Sequence, residues 1–364
     1  MSDRVNRLGI MTYCNGPHFM EKAYYKKLTL IGRRHGIRVF VFSPKRVDFG
    51  RSEVTGYEYR NGAWRANTFP LPHVVYDRCF VGPSYRQYKP FIDKLQSDPR
   101  ITFLGHGLSG KWQVHQMLSK SEELARWLPE THVLSHDTLR SMLRRYPAVI
   151  IKPAAGTHGA GVVRIAAKSA GTFSAAGRNR ENKPFRKQLR SQAALRAFLQ
   201  RFTANRTFLV QPFLALQTPD QMPFDVRVLV QKNGSGQWQT TGMAVRVGEK
   251  KGITSNLHGG GKAVPLSPFL ARHFPQAQSK RIEEEIAHIA QVLPPVLEKH
   301  HGRLAELGID VGVDRDGHVW IIEVNSRPGR TVFRQIADRD ARHRSISQPV
   351  KYAHYLMKER VGGY

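Results

Sequence analysis

The stretch Ile309–Arg330, IDVGVDRDGHVWIIEVNSRPGR, carries the reading on which the fold turns. Val311–Val313 and His318–Val324 read as two strands, and Asp316-Gly317 between them is a strong hairpin signal. With Asp316-Gly317 as a two-residue loop, Arg315 faces His318 and Asp310 faces Glu323. A four-residue loop makes that pair diagonal but keeps both acids on one face. Asn325 shares the face of Glu323, because side chains alternate along a strand. Like charges directly opposite one another destabilise a sheet. A hard cation held by oxygen ligands removes the conflict, and Mg2+ beside phosphates typically takes one or two carboxylates. The other reading is two solvated acids on an exposed face.

The chain has 364 residues, enough for two or three packed units. Its hydrophobic and charged fractions, 40% and 23%, are those of a globular protein. No apolar run approaches the ~20 residues of a membrane span. The N-terminal MSDRVNRLGIMTYCNGPHF lacks the apolar core of a secretory signal. With only Cys14 and Cys79 there is no thiolate metal cluster, and a reducing, cytoplasmic setting is expected.

Lys and Arg total 57 against 28 for Asp and Glu, a formal net charge of +29. Such an excess attracts polyanions and nucleotide phosphates and says nothing about fold. The densest part, Arg164–Arg206, holds eleven Lys or Arg and one acid, Glu181. A solvated basic face and a funnel for an anionic substrate both account for it. No nucleic-acid motif accompanies the charge, so nucleic acid is not the expected partner; a basic nucleic-acid-binding protein, whose binding would weaken steeply with salt, is the alternative that the charge alone suggests.

Arg4–Met11 and Arg38–Ser43 read as strands around an amphipathic helix, Phe19–His35, which implies a parallel α/β unit. Gly56–Arg60 and Ala63–Asn67 flank Asn61-Gly62 as a hairpin. His73–Asp77 is a strand and Lys89–Gln96 a helix. Residues 1–105 are therefore expected to form an N-terminal α/β domain, without the GxGxxG of a dinucleotide site. Further on, Ala148–Lys152 is a strand, Arg164–Phe185 the best candidate for a mobile segment, and Arg281–His300 a long helix bent at Pro294-Pro295. Gln348–Arg360 closes the chain as a helix.

Several segments have chemical potential. Lys152 ends an apolar strand, and a loop with Gly156, Gly159 and Gly161 follows it. A cation beside glycines that admit close backbone approach suits a phosphate, although a plain glycine-rich connection has the same sequence. Gln211-Pro212-Phe213-Leu214 leaves a strand in extended conformation and offers backbone groups to a base edge. Asp225 and Arg227 alternate with valines; Arg227 is either a donor fork for a phosphate or half of an Asp–Arg surface pair. Asn256-Leu-His-Gly-Gly-Gly-Lys262 is a second glycine-rich loop, with His258 as a candidate base.

Their order is more specific than any one of them. Lys111 before a helix, Lys152 followed by the glycine loop, Gln211–Leu214, Arg227, the Asn-Gly-Gly loop, Asp310 and Glu323-x-Asn325 together resemble the ATP-grasp superfamily, over about Gly105–Arg330. The opening LGIMTYCN further resembles the YheC/YheD-like endospore coat-associated branch. The resemblance implies a mixed α/β and α+β chain: an N-terminal parallel α/β domain, an ATP-grasp domain over 106–340 with a mobile lid at about 150–215, and a helical tail over 341–364. It implies ATP between two subdomains, with Lys111 and Lys152 on the α- and β-phosphates. Gly156, His158, Gly159 and Gly161 would cover the phosphates. Gln211, Pro212, Phe213 and Leu214 would line the adenine, and Asn256 the nucleotide from the second loop. Arg227 would stabilise the transferring phosphoryl group and Arg327 bind the acceptor carboxylate or the acyl phosphate. Asp310, Glu323 and Asn325 would hold one or two Mg2+ ions, with Mn2+ as a substitute. The implied activity is carbon–nitrogen ligation of a carboxylate donor and an amine acceptor, such as an amino acid, a peptide or an envelope or spore precursor. Spore association follows from the branch, as does the alternative of a non-catalytic coat-assembly protein that keeps the fold. Gln211 stands where many members have an acid; the family often has an acid at the ribose, and Asp220 is no more than a guess for it here.

Overall fold

Leu8, Ile10 and Met11 are fully buried, as a strand covered on both faces requires, and they lie in the middle of the first sheet. The computed structural model describes residues 5–80, 82, 84–156, 160–168, 171–248 and 262–362. The first unit runs β1 (Asn6–Met11), α1 (Lys22–Arg34), β2 (Ile37–Asp48), β3 (Glu53–Arg60), β4 (Ala63–Pro70), β5 (Val74–Asp77), α2 (Tyr85–Gln96) and β6 (Thr102–Phe103). Its strand order is β4-β3-β2-β1-β5-β6. The four strands from β2 to β6 are parallel, and β3–β4 adds an antiparallel hairpin. Arg60 pairs with Ala63, and Asn61 and Gly62 both take positive φ, as the two-residue turn demands.

The second unit runs α3 (Lys111–Leu118), α4 (Glu122–Ala125), β7 (His132–Val133), α5 (His136–Arg145), β8 (Ala148–Pro153), β9 (Val163–Ala167), β10 (Phe173–Arg178), β11 (Pro184–Leu189), α6 (Gln192–Thr203) and β12 (Phe208–Pro212). The sheet order is β11-β10-β9-β8-β12-β7. Ser135 and Ser191 accept backbone N–H groups at the starts of α5 and α6. Both helices cover one face, packing Leu139, Met142, Leu195 and Phe198 on Val149, Ile151 and Val210. The register Gln211–Ile150–Arg164 puts the alternate residues, Lys152 included, on the other face. The basic stretch thus contains three strands, and Arg186 and Lys187 are exposed on the edge strand β11, where charge discourages pairing with another chain.

One glycine here is set by contact. A Cβ on Gly177 would lie 2.1 Å from the Val162 carbonyl oxygen and 2.7 Å from Val163 Cα, both backbone. Gly177→Ala is therefore expected to destabilise the protein by about 1–3 kcal/mol, read as a lower urea midpoint. An unchanged midpoint would refute the close packing of β9 on β10.

The third unit runs β13 (Phe224–Lys232), β14 (Trp238–Val247), β15 (Lys262–Val264), α7 (Leu266–His273), α8 (Gln276–His301), β16 (Glu306–Val313), β17 (Val319–Asn325), α9 (Thr331–Gln335) and α10 (Arg339–Gly362). The sheet, β15-β14-β13-β16-β17, is antiparallel throughout. Ile282, Ile286, Ile289, Leu293 and Leu297 form the helical stripe by which α8 covers Val226, Val228, Ile309 and Val311. Pro294 and Pro295 lie inside that helix, which continues to His301. The closing helix α10 turns back to the first unit, where Val350, Ala353, Leu356 and Met357 pack with Leu8, Ile10 and Leu28.

Candidate active site

The acids of β16 and β17 meet by a different route from the short hairpin expected from the sequence. Asp314 to His318 form the loop, in which Asp314 Oδ1 accepts the N–H groups of Asp316 and His318. Val313 pairs with Val319, and Val311 with Ile321. Continued without interruption, this register would put Asp310 opposite Ile322 and leave Glu323 on the core face beside Val319 and Ile321. A bulge at Ile322 shifts the register, so that Asp310 faces Glu323 and Gly308 faces Asn325. The bulge keeps a carboxylate out of the apolar core and places both acids and Asn325 on the opposite face.

On that face Arg227 of β13 sits across from Asp310. Its Nε is 2.5 Å from Asp310 Oδ1 and its Nη2 3.2 Å from Oδ2. Arg246 of β14, which the sequence did not single out, grips Asp225 at 2.5 and 2.7 Å and reaches Asp310 Oδ2 at 3.1 Å. Asp225 is thus bound by Arg246, not by its near neighbour Arg227. Burial pushes the Asp310 carboxyl up, but Arg227 and Arg246 outweigh it and hold the group below its ordinary value. Burial lowers Arg246, and Asp310 with Asp225 more than reverse that. Asp310 and Arg246 stay ionised because each has partners of opposite charge.

The two lysines arrive from the second unit. Lys111, the first residue of α3, places Nζ 2.7 Å from Glu323 Oε1 and 3.1 Å from the Gly156 carbonyl oxygen. Lys152 is lowered to about 8, first by burial and then by Lys111, with Glu323 acting in the opposite direction. His115 is lowered to about 4 by burial and then by Lys152. Lys111, Lys152 and Glu323, far apart in sequence, therefore share one electrostatic environment. Gly156 has φ 154 and Gly161 φ 72, and the Gly161 N–H donates to the Asn179 carbonyl at 3.0 Å. His158, Gly159, Asn256 and His258 lie outside the described residues.

At the strand exit, the Gln211 amide donates to Thr131 Oγ1 at 2.7 Å, and the N–H of Phe213 donates to the Ala148 carbonyl at 3.0 Å. Pro212 ends β12, and the Leu216 N–H donates to the Leu214 carbonyl at 2.9 Å. The Arg164 guanidinium lies 4.6 Å from the centre of the Phe213 ring. Asp220 pairs with His273 at 3.1 Å, on the surface.

Past the bulged strand, Arg327 is clamped by the first unit: its Nη2 bonds to Asp77 Oδ2 and its Nε donates to the Asp77 carbonyl at 3.4 Å. The Leu108 N–H donates to Ser326 Oγ at 2.8 Å, fixing the same loop. Arg330 bonds to Glu306, itself 3.3 Å from Arg78, which Glu21 holds at 2.8 Å. Tyr76 donates to Glu306 at 2.6 Å and Gln231 to its other oxygen at 2.9 Å. This buried network joins the first and third units and has no counterpart in the sequence reading.

A model of YheC/D-like ATP-grasp proteins matches residues 100–356. The chain belongs to the YheC/D-like ATP-grasp family. It is 30% identical over 347 residues to the endospore coat-associated protein YheC of Bacillus subtilis (strain 168), covering 93% of this chain and 94% of YheC. Endospore coat-associated protein YheD of the same organism is 28% identical over 348 residues, covering 93% and 75%. Among solved structures, the ATP-grasp ligase PsnB complexed with minimal precursor aligns with a TM-score of 0.54 at 12% identity, covering 98% of this chain and 99% of PsnB, a likeness of fold. The region matched to the ATP-grasp model contains Lys111, Lys152, Arg227, Arg246, Asp310, Glu323 and Asn325. No helix among the described residues is long and apolar enough to cross a membrane.

Proposed function

We propose that this ATP-grasp protein is an ATP- and Mg2+-dependent ligase joining a carboxylate to an amine through an acyl phosphate. The observation that carries the reading is the Asp310–Glu323 pair on the bulged hairpin, faced by Lys111. Asp310, Glu323 and Asn325 offer oxygen donors only, a set that suits a hard divalent cation, and Asp310 is kept ionised by its arginines. Bound there, Mg2+ would offset charge on the β- and γ-phosphates. Lys111 and Lys152 would hold the α- and β-phosphates, with Gly156, His158, Gly159 and Gly161 over them. Gln211–Leu214 would line the adenine and Asn256 would reach the nucleotide from its loop. Arg227 would exchange one oxygen of Asp310 for the γ-phosphoryl group as that group passes to the donor carboxylate and ADP leaves. The amine then attacks the acyl carbon and releases phosphate. Arg327, fixed by Asp77, would orient the acceptor carboxylate. The test is ADP release from Mg2+-ATP with amino acids and short peptides: acceptor-dependent release that a chelator abolishes is expected. Absence of such release across the panel would overturn ligation.

The names of YheC and YheD favour a second reading, a coat-assembly protein that keeps nucleotide binding without turnover. ATP binding with no acceptor-dependent ADP would select it.

Both readings share one consequence. A phosphate on Lys152 favours its charged form and raises a pKa that stands at about 8 in the free protein. ATP binding near pH 8 is then expected to take up on the order of half a proton. Calorimetry in buffers of different ionisation enthalpy reads this, and Lys152→Met should abolish it. Equal uptake in the variant would remove Lys152 from the phosphate site.

A further inference from the structure

A groove of about 640 Å3 lies between α5 and α6, on the face of the second sheet opposite Lys152. Its floor is apolar: Leu139, Leu143, Phe173, Leu195 and Leu199. Its rim carries Arg140, Arg144, Lys168 and Arg196, and among the described residues no Asp or Glu lines it. Among the described residues none of these four cations has an ion-pair partner, in a chain whose other arginines are repeatedly bound to acids.

The spacing has a period. Leu139 and Leu143 stand one helical turn apart on α5, with Arg140 and Arg144 beside them at the same interval. Leu195 and Leu199 repeat it on α6, with Arg196 alongside. Residues four apart share a helix face, so the α5 wall presents an apolar row with Arg140 and Arg144 above it, and the α6 wall an apolar row with Arg196 and Gln200 above it. With 10 and 12 residues, α5 and α6 are about 15 and 18 Å long at the usual helical rise. That length takes about three turns of another helix. The cations stand on both walls, Arg140 and Arg144 on α5 and Arg196 on α6, so an elongated acidic partner matches them better than a single carboxylate or phosphate head group. Long basic side chains can also fold their stems over apolar surface, yet here they leave the volume between the helices open.

We propose that this groove binds an acidic amphipathic helix of a partner protein, with apolar residues between the leucine rows and carboxylates along the rim. The site is independent of the nucleotide face.

The test is a displayed library of 16-residue amphipathic helices with randomised polar faces, selected on the full chain. Enrichment of Asp and Glu on the polar face is expected. The enriched peptides should bind at least tenfold more weakly to the R140E/R144E variant, whose changes are on exposed side chains, and more weakly as salt rises. Hydrogen exchange should show protection at residues 136–145 and 192–203. No enrichment, enrichment of neutral or basic faces, equal binding to the variant, or protection elsewhere overturns the proposal. Displacement of the peptides by duplex DNA or anionic vesicles, with the same sensitivity to R140E/R144E, would make the rim a general polyanion surface and overturn it too.

Discussion

Glu323→Gln is expected to lower Mg2+-dependent ADP formation by about a thousandfold or more, equivalent to about 4 kcal/mol of transition-state stabilisation, while leaving the fold intact. The substitution keeps the shape of the side chain and removes the charge on which metal affinity depends. Glu323 is the more informative of the two acids because it is the less buried. Its side chain is 30% exposed and its partner Lys111 20% exposed, so the loss of one ion pair leaves Lys111 in reach of water. Asp310→Asn would instead strip Arg227 and Arg246 of a buried partner and confuse activity with stability. ADP release, Mg2+ titration of ATP binding and the melting temperature, measured together, separate the two effects. Full turnover in Glu323→Gln would mean that the Asp310–Glu323 row is a polar strand face held by Arg227, Arg246 and Lys111 alone.

Glu306→Gln is expected to cost about 3–5 kcal/mol of stability, because it removes the carboxylate that two buried guanidiniums share. Arg78 is 1% exposed and Glu306 3%. Arg78 retains Glu21, but Arg330 is left with the Tyr76 hydroxyl and backbone carbonyls. The pH dependence has a definite sign. Burial pushes the Glu306 carboxyl up, and Arg330 and Arg78 pull it further down, to below its ordinary 4.5. A depressed folded pKa contributes stability that is present above the unfolded value and is lost as pH falls through the folded one. The wild-type protein should therefore lose this contribution below about pH 4.5, the ordinary glutamate value, and Glu306→Gln should have less left to lose. Glu130 remains in both proteins: lowered to about 2, chiefly by its hydrogen bond to Arg145, it carries the acid dependence further down. Urea midpoints between pH 3 and 7 check this, and parallel curves for the two proteins would rule out an ionised Glu306 in the fold.

Much of the site face was legible because strand alternation is local. Asp310, Glu323 and Asn325 fall on one face under the simplest hairpin, and they do so in the structure, although two departures from that hairpin cancel. The longer Asp314–His318 loop shifts the register by one and the bulge at Ile322 shifts it back. The sequence does carry a trace of the bulge. Apolar positions fall on odd numbers at Val319 and Ile321 and on an even one at Val324, a slip in the period of two. Arg246 left no such trace. The β13–β14 hairpin also contains a register shift, between Leu229 and Val230, so counting from the Asn233–Gly236 turn does not bring Arg246 opposite Asp225.

The sequence by itself determined most of the elements, their order and the alternation that separates core from site, because these depend on residues a few positions apart; β10 and β11 begin within Arg164–Phe185, the stretch expected to be mobile, and the phosphate and metal candidates took their roles from the family resemblance. Tertiary structure alone decided which charges neutralise one another. Arg78 and Glu306 are 228 positions apart, Arg327 and Asp77 250, and Lys111 and Glu323 212. It also decided that the closing helix completes the first core. A Coulomb interaction depends on distance and burial, and neither is encoded in spacing along the chain. The same lysine, arginine or glutamate reads alike in a solvated face and in a buried network until the packing of three sheets places it.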